Sequence, residues 1–389
     1  MLENMRATIG TYNDEVARFA REAPNFESTK ARDGFVDSFV IGDPAKISWS
    51  SSLKAALGRR QEAVFDQRRA TASINRPYNK QWLYFDRLLN HRVGQMPRLF
   101  PDEAVKNQVI CVSAKGGKVP FSALMTDAVP MLHMVDIDGS QCFPRYLYDP
   151  VRSGDDAGLF DKSGGGACVR RDAITDEGLG YFRAAYPGEK IGKDDLFHFV
   201  YGLLHSSDYR ERYADNLSRQ LPRLPLPKRV EDFRAFVAAG RALGELHVGF
   251  ETVEPYPVTI REGDLRLANI GDPVSYYRVE QMKFAGKRPN LDRTTVIYNP
   301  RITITGIPLE AYGYVVNGKP ALEWVMERQA VRTDAASGIV NDANRYAVET
   351  AGDPAYPFRL FRRVITVSLE TQKVVKGLPA LDIREPLQQ

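Results

Sequence analysis

Asp194-Asp-Leu-Phe-His-Phe-Val-Tyr-Gly-Leu-Leu204 is the most strongly helical stretch of this 389-residue chain. Leu196, Phe197, Val200, Leu203 and Leu204 recur at three- and four-residue spacings, which puts them on one face of a helix. Ser206 then caps a second helix over Asp208 to Leu221, where Asp208 and Glu211 sit near the positive end of the dipole. Pro222, Pro225 and Pro227 end it. Glu231 to Val248 repeats the amphipathic pattern with Phe233, Phe236, Val237, Leu243, Leu246 and His247, so residues 194–248 read as a helical scaffold.

On both sides of that scaffold the pattern changes to short strands. Upstream these are Gln108 to Ser113, Met131 to Ile137 and Cys142 to Tyr148, with turns at Lys115-Gly-Gly-Lys118, Asp138-Gly139 and Asp149-Pro150 and a glycine loop at Ser163-Gly-Gly-Gly166. Downstream they are Val258 to Ile260, Tyr276 to Val279, Thr294 to Tyr298 and Ile302 to Thr305, with a hairpin at Asn299-Pro300. Helices follow from Pro308 to Val316, Pro320 to Arg328 and Phe358 to Lys376. The expected fold class is α+β, with β-rich segments around a helical scaffold.

The first fifty residues show a helix over Asp14 to Glu22, a connecting segment at Thr8-Ile9-Gly10-Thr11-Tyr12, and too few apolar side chains for a core of their own. Ser50 or Ser51 caps a short helix closed by Gly58, and Gln81-Trp-Leu-Tyr-Phe-Asp86 reads as a strand. The expected division is 1–104 and 105–389.

With 43% hydrophobic and 26% charged residues the chain is an ordinary globular sequence, which excludes wholesale disorder. No run reaches the roughly 18 to 20 apolar residues of a membrane span, and Met1 to Arg6 holds no signal-peptide core, so a cytoplasmic location is expected. Cys111, Cys142 and Cys168 form no C-x-x-C pair and are expected to be buried, inert thiols. The net charge of +4 is unevenly spread: Lys54 to Arg98 holds ten bases and three acids. Such an arginine-rich excess suits a polyanion, and a solvated face equally well.

Several chemistries are excluded by inspection. There is no G-x-x-x-x-G-K-[ST], no strand followed by G-x-G-x-x-G, no H-E-x-x-H and no G-x-S-x-G. No lysine has an acid two residues before it, as the usual metal-dependent nuclease element requires. Asn75-Arg-Pro-Tyr78 differs from the N-P-P-Y tetrapeptide of adenine methyltransferases by an arginine, and no methyl-donor loop precedes it. His198, His205 and His247 lie on apolar helices and read as core histidines, while His91 and His133 lack neighbours that suggest a triad.

Six separated motifs in order carry a resemblance. They are Arg76-Pro-Tyr-Asn-Lys-Gln-Trp-Leu-Tyr-Phe-Asp86, Gln95-Met-Pro-Arg-Leu-Phe-Pro101, Phe121-Ser-Ala-Leu-Met-Thr-Asp127, Gln141-Cys-Phe-Pro144, Tyr201-Gly-Leu-Leu-His-Ser206 with Tyr209-Arg-Glu-Arg-Tyr213, and Ile307-Pro-Leu-Glu-Ala-Tyr312 through Glu323-Trp-Val-Met-Glu-Arg328. Over about residues 40 to 389 the chain resembles the C-terminal part of type ISP restriction-modification enzymes. In that family one polypeptide carries a nuclease, a helicase-type translocase, a coupling region, an adenine methyltransferase and a C-terminal target recognition domain.

The resemblance implies that residues 1–104 are the tail of the methyltransferase with a linker, and that residues 105–389 are the target recognition domain. The implied role is sequence-specific reading of double-stranded DNA, which directs methylation and restriction by methyltransferase and translocase-nuclease domains in the same polypeptide or a partner chain. No membrane partner and no cofactor in this chain are expected; S-adenosylmethionine, ATP and Mg would belong to the upstream domains. Two alternatives stand beside it: a divergent or split methyltransferase subunit that needs a partner chain, and a protein-interaction module of a restriction complex.

Reading DNA needs cations for phosphates and side chains with paired donors or acceptors for base edges. Lys115 and Lys118 on the glycine turn, with Arg76, Lys80 and Arg98 in the basic stretch, are the phosphate candidates. Gln141, Arg145, Arg152, Arg170, Arg171, Lys283, Lys287 and Arg288 are the base-edge candidates. Arg76 and Lys80 have an alternative internal role, pairing with Asp86. Tyr209, Arg210, Arg212 and Tyr213 suit either phosphate contact or core packing.

Overall fold

The computed structural model describes residues 1–102, 105–114, 116, 119–135, 139–150, 168–262 and 271–384. They divide into two compact units, one of Met1–Ser73, Gln81–Lys106 and Arg332–Asn341, the other of Ile74–Lys80, Asn107–Val331 and Asp342–Gln389.

The smaller unit begins with three helices, α1 (Leu2–Glu22), α2 (Thr29–Phe39) and α3 (Ser51–Gly58). Ser28 and Ser50 cap the second and third by accepting from the amides of Ala31 and Leu53. Its core joins Ile9, Tyr12, Val16 and Phe19 of α1 to Val36, Leu53 and Leu57. Phe19, Phe26, Phe35 and Phe39 pack ring on ring, with Phe19 and Phe39 edge to face at 5.5 Å. One expectation is thereby corrected: Thr8 to Tyr12 is helix, because burying Ile9 and Tyr12 outweighs the weak propensity of glycine and β-branched residues. The first fifty residues complete their core only with Leu53, Leu57, Ala63 and Tyr84 from beyond them. Strands β1 (Ala70–Arg76) and β2 (Asn79–Tyr84) and the short helix α4 (Met96–Leu99) follow.

The larger unit continues with β3 (Val109–Ser113), β4 (Ala123–Thr126), β5 (Val129–Pro130), β6 (Ser140–Pro144), β7 (Tyr146–Pro150) and β8 (Cys168–Asp172). Its helical layer is α5 (Asp176–Ala185), α6 (Lys193–His205), α7 (Ser207–Arg212), α8 (Ala214–Arg219) and α9 (Val230–Val248). Helices α6 and α9 touch backbone to backbone at two glycines: a Cβ on Gly240 would lie 1.8 Å from the His198 carbonyl oxygen, and one on Gly202 2.2 Å from that of Phe236. Phe199, Phe233 and Phe236 fill the flanks, Phe199 and Phe233 with ring centroids 5.0 Å apart.

The antiparallel sheet β4-β3-β6 packs beside these helices. Tyr201 of α6 accepts from the Met125 amide of β4 at 2.9 Å, and its hydroxyl lies 2.5 Å from His247 Nδ1 of α9. His247 Nε2 in turn meets the Thr371 hydroxyl at 2.9 Å, on the last helix, α13. One buried polar chain therefore fixes the sheet and three helices in register.

The rest of the unit is β9 (Thr259–Glu262), α10 (Pro273–Tyr277), β10 (Lys283–Lys287), β11 (Asn290–Ile297), β12 (Ile302–Thr305), β13 (Val315–Val316), β14 (Lys319–Pro320) and α11 (Ala321–Arg328). The small hairpin of β15 (Val331–Thr333) and β16 (Val340–Asp342), then α12 (Ala343–Glu349) and α13 (Tyr356–Lys376), complete the chain. Helices and strands thus mix in small sheets, as the α+β reading requires.

Several local expectations differ. The helix expected from Asp208 to Leu221 breaks at Tyr213, because buried Tyr209 donates to the Arg223 carbonyl at 2.7 Å and folds the segment back. Tyr276 to Val279 was expected as strand, but Asp272 caps a helix that opens on Pro273. Cys142 to Tyr148 is two strands, since β6 ends at Pro144 and β7 leaves it to pair with β8. Leu132 to Val135 form turns rather than strand, and Pro308 to Val316 is a single 3-10 turn followed by β13. The Ser163 to Gly166 loop lies outside the described residues. Of the thiols only Cys111 is fully buried; it faces Cys142 across β3 and β6 with the sulfurs 3.6 Å apart, and Cys168 is exposed.

Candidate nucleic-acid interface

Ten of the thirteen candidate residues are described; Lys115, Lys118 and Arg152 lie outside the described residues. Three of the ten are committed inward. Arg76 donates to the carbonyls of Asn75 and His133, and burial with Arg328 nearby lowers its pKa. Lys80 pairs with Glu251 at 2.9 Å beneath the Phe250 ring, and only 18% of its side chain is exposed. Asp86 is taken by Arg69, so the alternative pairing with Arg76 or Lys80 does not form. Arg145 donates to Gln108 Oε1 at 2.9 Å and pairs with Asp194, which also holds Arg241. To meet a phosphate, each would first have to leave a partner in a partly dry setting.

The other candidates face solvent to differing degrees. Arg98, in the smaller unit, is half-buried and donates to Gln95. Gln141 is exposed on β6, next but one to exposed Phe143. Arg170 lies 4.5 Å over the Tyr146 ring, and exposed Arg171 pairs with Asp149 at 2.6 Å. Arg210 donates to the Leu204 carbonyl and Arg212 to that of Leu381, so both serve the scaffold. Asn75 and Arg76 end β1, and Pro77-Tyr78 make the turn into β2, anchored by buried Tyr78, whose ring edge meets Phe250 and whose hydroxyl donates to Tyr314.

The four-stranded antiparallel sheet β10-β11-β12-β9 is different. Val296, Tyr298, Ile302 and Ile304 fill its inner side. Register aligns Lys283, Ile297, Thr303 and Arg261 in one row across the four strands. Lys287 and Arg288 lie at the end of β10, and Arg301 follows the β11–β12 turn. That turn is fixed by Asn299, whose side chain donates to the Tyr276 and Arg278 carbonyls and accepts from the Arg301 and Ile302 amides. Among the described residues, exposed Arg261, Lys283, Lys287, Arg288 and Arg301 have no carboxylate oxygen within 4 Å. Cations of this kind can meet phosphates without breaking an existing pair, and each releases condensed counterions when it does.

Tyr201, His205 and His247 form a cluster sealed in the core, where burial holds both imidazoles neutral and pushes His247 down to about 3. No cluster of His, Cys, Asp or Glu suited to a metal occurs among the described residues. Among those residues, too, no helix is long and apolar enough to cross a membrane.

The model of the Type ISP C-terminal specificity domain matches residues 1–360. The chain belongs to the Type ISP C-terminal specificity domain family. The match starts at residue 1, so it takes in the first forty residues that the motif resemblance left out. Solved structures agree. A nuclease-deletion mutant of the Type ISP restriction-modification enzyme LlaGI, in complex with a DNA substrate mimic, is 33% identical over 98% of this chain with a TM-score of 0.78. The ATP-dependent Type ISP enzyme LlaBIII bound to DNA is 31% identical over 98% with a TM-score of 0.79. A DrdV–DNA complex is 28% identical over 98% with a TM-score of 0.75. This specificity domain spans 26%, 22% and 34% of those three chains. No curated protein matches it.

Sequence reading of the specificity domain missed Arg261 and Arg301. Each directly flanks an expected strand, at the end of Val258 to Ile260 and the start of Ile302 to Thr305. Only the register of β9, β10, β11 and β12 shows Arg261 in line with Lys283.

Proposed function

We propose that this specificity domain binds double-stranded DNA and reads its sequence, so that methylation and restriction by methyltransferase and translocase-nuclease domains, in the same polypeptide or a partner chain, act at the chosen site. The observation that carries the reading is the collection of five cations, without a carboxylate partner among the described residues, on the strands and turns of the β9–β12 sheet, in a chain whose solved relatives are DNA-bound enzymes. The domain does no chemistry of its own in this reading. S-adenosylmethionine, ATP and Mg act on the other domains, and the setting is the cytoplasm.

Phosphate contacts set position and affinity, while base contacts set sequence. The rigid α6–α9 scaffold supports both, because a base-reading side chain displaced by about an ångström forfeits its paired hydrogen bonds. The test is fluorescence anisotropy of the whole chain on labelled duplex DNA across a salt series. Five neutralised phosphates give a log–log slope near −4.5, roughly a 500-fold loss between 50 and 200 mM salt. Absence of binding at 50 mM salt, or a slope shallower than about −1, overturns the reading.

A further inference from the structure

The β10–β11 pair extends beyond the sheet that carries it. Strand β11 has eight residues, yet β12 pairs only with Val296 and Ile297. The Ile307 amide donates to the Thr294 carbonyl at 3.1 Å, and beyond that point β10 and β11 pair only with each other, as Ala285 with Asp292, Gly286 with Leu291 and Lys287 with Asn290. Residues 286–293 are exposed without a break. A two-stranded ribbon with neither face covered is marginal in water, so its order has to come from its root.

The root is built for that. Arg293 packs over the touching rings of Phe284 and Tyr312, at 5.7 and 5.6 Å from their centroids, and pairs with Glu323 at 3.4 Å. Tyr312 donates to the Arg293 carbonyl at 2.8 Å. Gly286 adopts φ +83°, and a Cβ there would lie 2.6 Å from the Asn290 carbonyl oxygen, so only glycine allows the strands to close so tightly. Residues 283–293 carry four bases and one acid, and that acid, Asp292, accepts from the Thr294 amide and hydroxyl at 2.9 and 2.6 Å. The arm is therefore stiff, basic and without a covering partner among the described residues.

We propose that this arm enters the major groove of the DNA, with Arg288 and Asn290 at its tip reading base edges and Lys283 and Lys287 holding phosphates; the assignment rests on the DNA-binding reading above. Two strands about 4.8 Å apart, with their side chains, fit an undeformed major groove of about 12 Å, whereas a minor groove of about 6 Å would first have to be widened. The tip supplies the two side-chain types whose paired groups match single bases: arginine donates twice to guanine, and asparagine both donates to and accepts from adenine. An acidic protein surface would use the lysines and the arginine equally well, and loss of base preference at single positions is what separates DNA from it.

The experiment compares the whole chain with Arg288→Ala, Asn290→Ala and Lys287→Ala, each by selection from a random duplex pool and by affinity for the duplex that the unaltered chain selects. All three positions are exposed, so unchanged thermal midpoints confirm that each variant folds. Arg288→Ala and Asn290→Ala should each lose about 5- to 150-fold on the selected duplex and lose base preference at one position. Lys287→Ala should weaken all duplexes alike and make the salt slope shallower by about 0.9. If the unaltered chain selects a site and the tip variants select the same site with equal affinity, the arm assignment fails alone. Uniform weakening by the tip variants, with base preferences intact, also overturns base reading by the arm. If the unaltered chain retains no duplex even at low salt, the DNA-binding reading fails and the arm assignment with it.

Discussion

Replacing Gly240 by alanine tests the scaffold at its tightest point. Cβ atoms essentially never come within 3.0 Å of a heavy atom, whereas this one would lie 1.8 Å from the His198 carbonyl oxygen and 2.9 Å from the Gly202 amide nitrogen. Neither obstacle is a side chain that can swing away, so α6 and α9 must part by about 1.2 Å, the gap between 1.8 and 3.0 Å. A separation of that size forfeits a quarter to a half of the dispersion attraction at each contact, and overpacking of a core costs about 1 to 3 kcal/mol or more. Alanine's helix propensity returns only about 1 kcal/mol. A clash this deep with backbone takes the upper end of that cost, about 3 kcal/mol, which leaves a net loss of about 2 kcal/mol. Gly180→Ala on α5 is the control, because nothing lies within 4 Å of its Cβ and the propensity gain stands alone. Urea unfolding of the two variants, followed by circular dichroism, should place the larger unit's midpoint lower for Gly240→Ala and slightly higher for Gly180→Ala. Equal midpoints would show that the helices do not meet backbone to backbone.

Three further outcomes follow from the same geometry. His205 and His247 are held neutral by burial, while in the unfolded chain they gain protons below about pH 6.5; stability is therefore full above that pH and falls by about 1.4 kcal/mol per unit for each histidine as pH drops toward their folded values. Unfolding free energies that stay flat from pH 7 to pH 5 would contradict this. Contact with Cys142 and burial raise the Cys111 thiol well above its ordinary range, so a thiol reagent should modify exposed Cys168 at once and Cys111 only on unfolding; three equal rates would refute the assignment. Arg145→Ala removes the bonds to Gln108 and Asp194, which should cost about 1 kcal/mol or more in stability yet leave DNA affinity within about twofold. A tenfold loss of affinity at unchanged stability would move Arg145 back among the DNA contacts.

The scaffold was legible because burial writes a period into sequence. Helices α6, α9 and α13 came within two residues of their observed ends, since one side of each faces a core. Strand β12 matched Ile302 to Thr305 for the same reason, its isoleucines inside and its threonines outside. Strand β10 escaped because only adjacent Phe284 and Ala285 are half-buried and its other residues are exposed, which leaves no alternation to show. The helix at Pro273 was overlooked although Asp272-Pro273 is a starting signal, because the aromatic Tyr276 and Tyr277 read as strand. Residue type alone singled out Lys283, Lys287 and Arg288 together with Lys80 and Arg145. Pairing separates them, and pairing depends on carboxylates far away in sequence, Glu251 for Lys80 and Asp194 for Arg145.

The most direct test of the account is to pass the purified chain over a pool of random duplex DNA at two salt concentrations and sequence what it retains. The account predicts enrichment of one defined sequence, with total retention falling steeply at the higher salt. Retention without enrichment, or none at the lower salt, would contradict sequence reading by this domain.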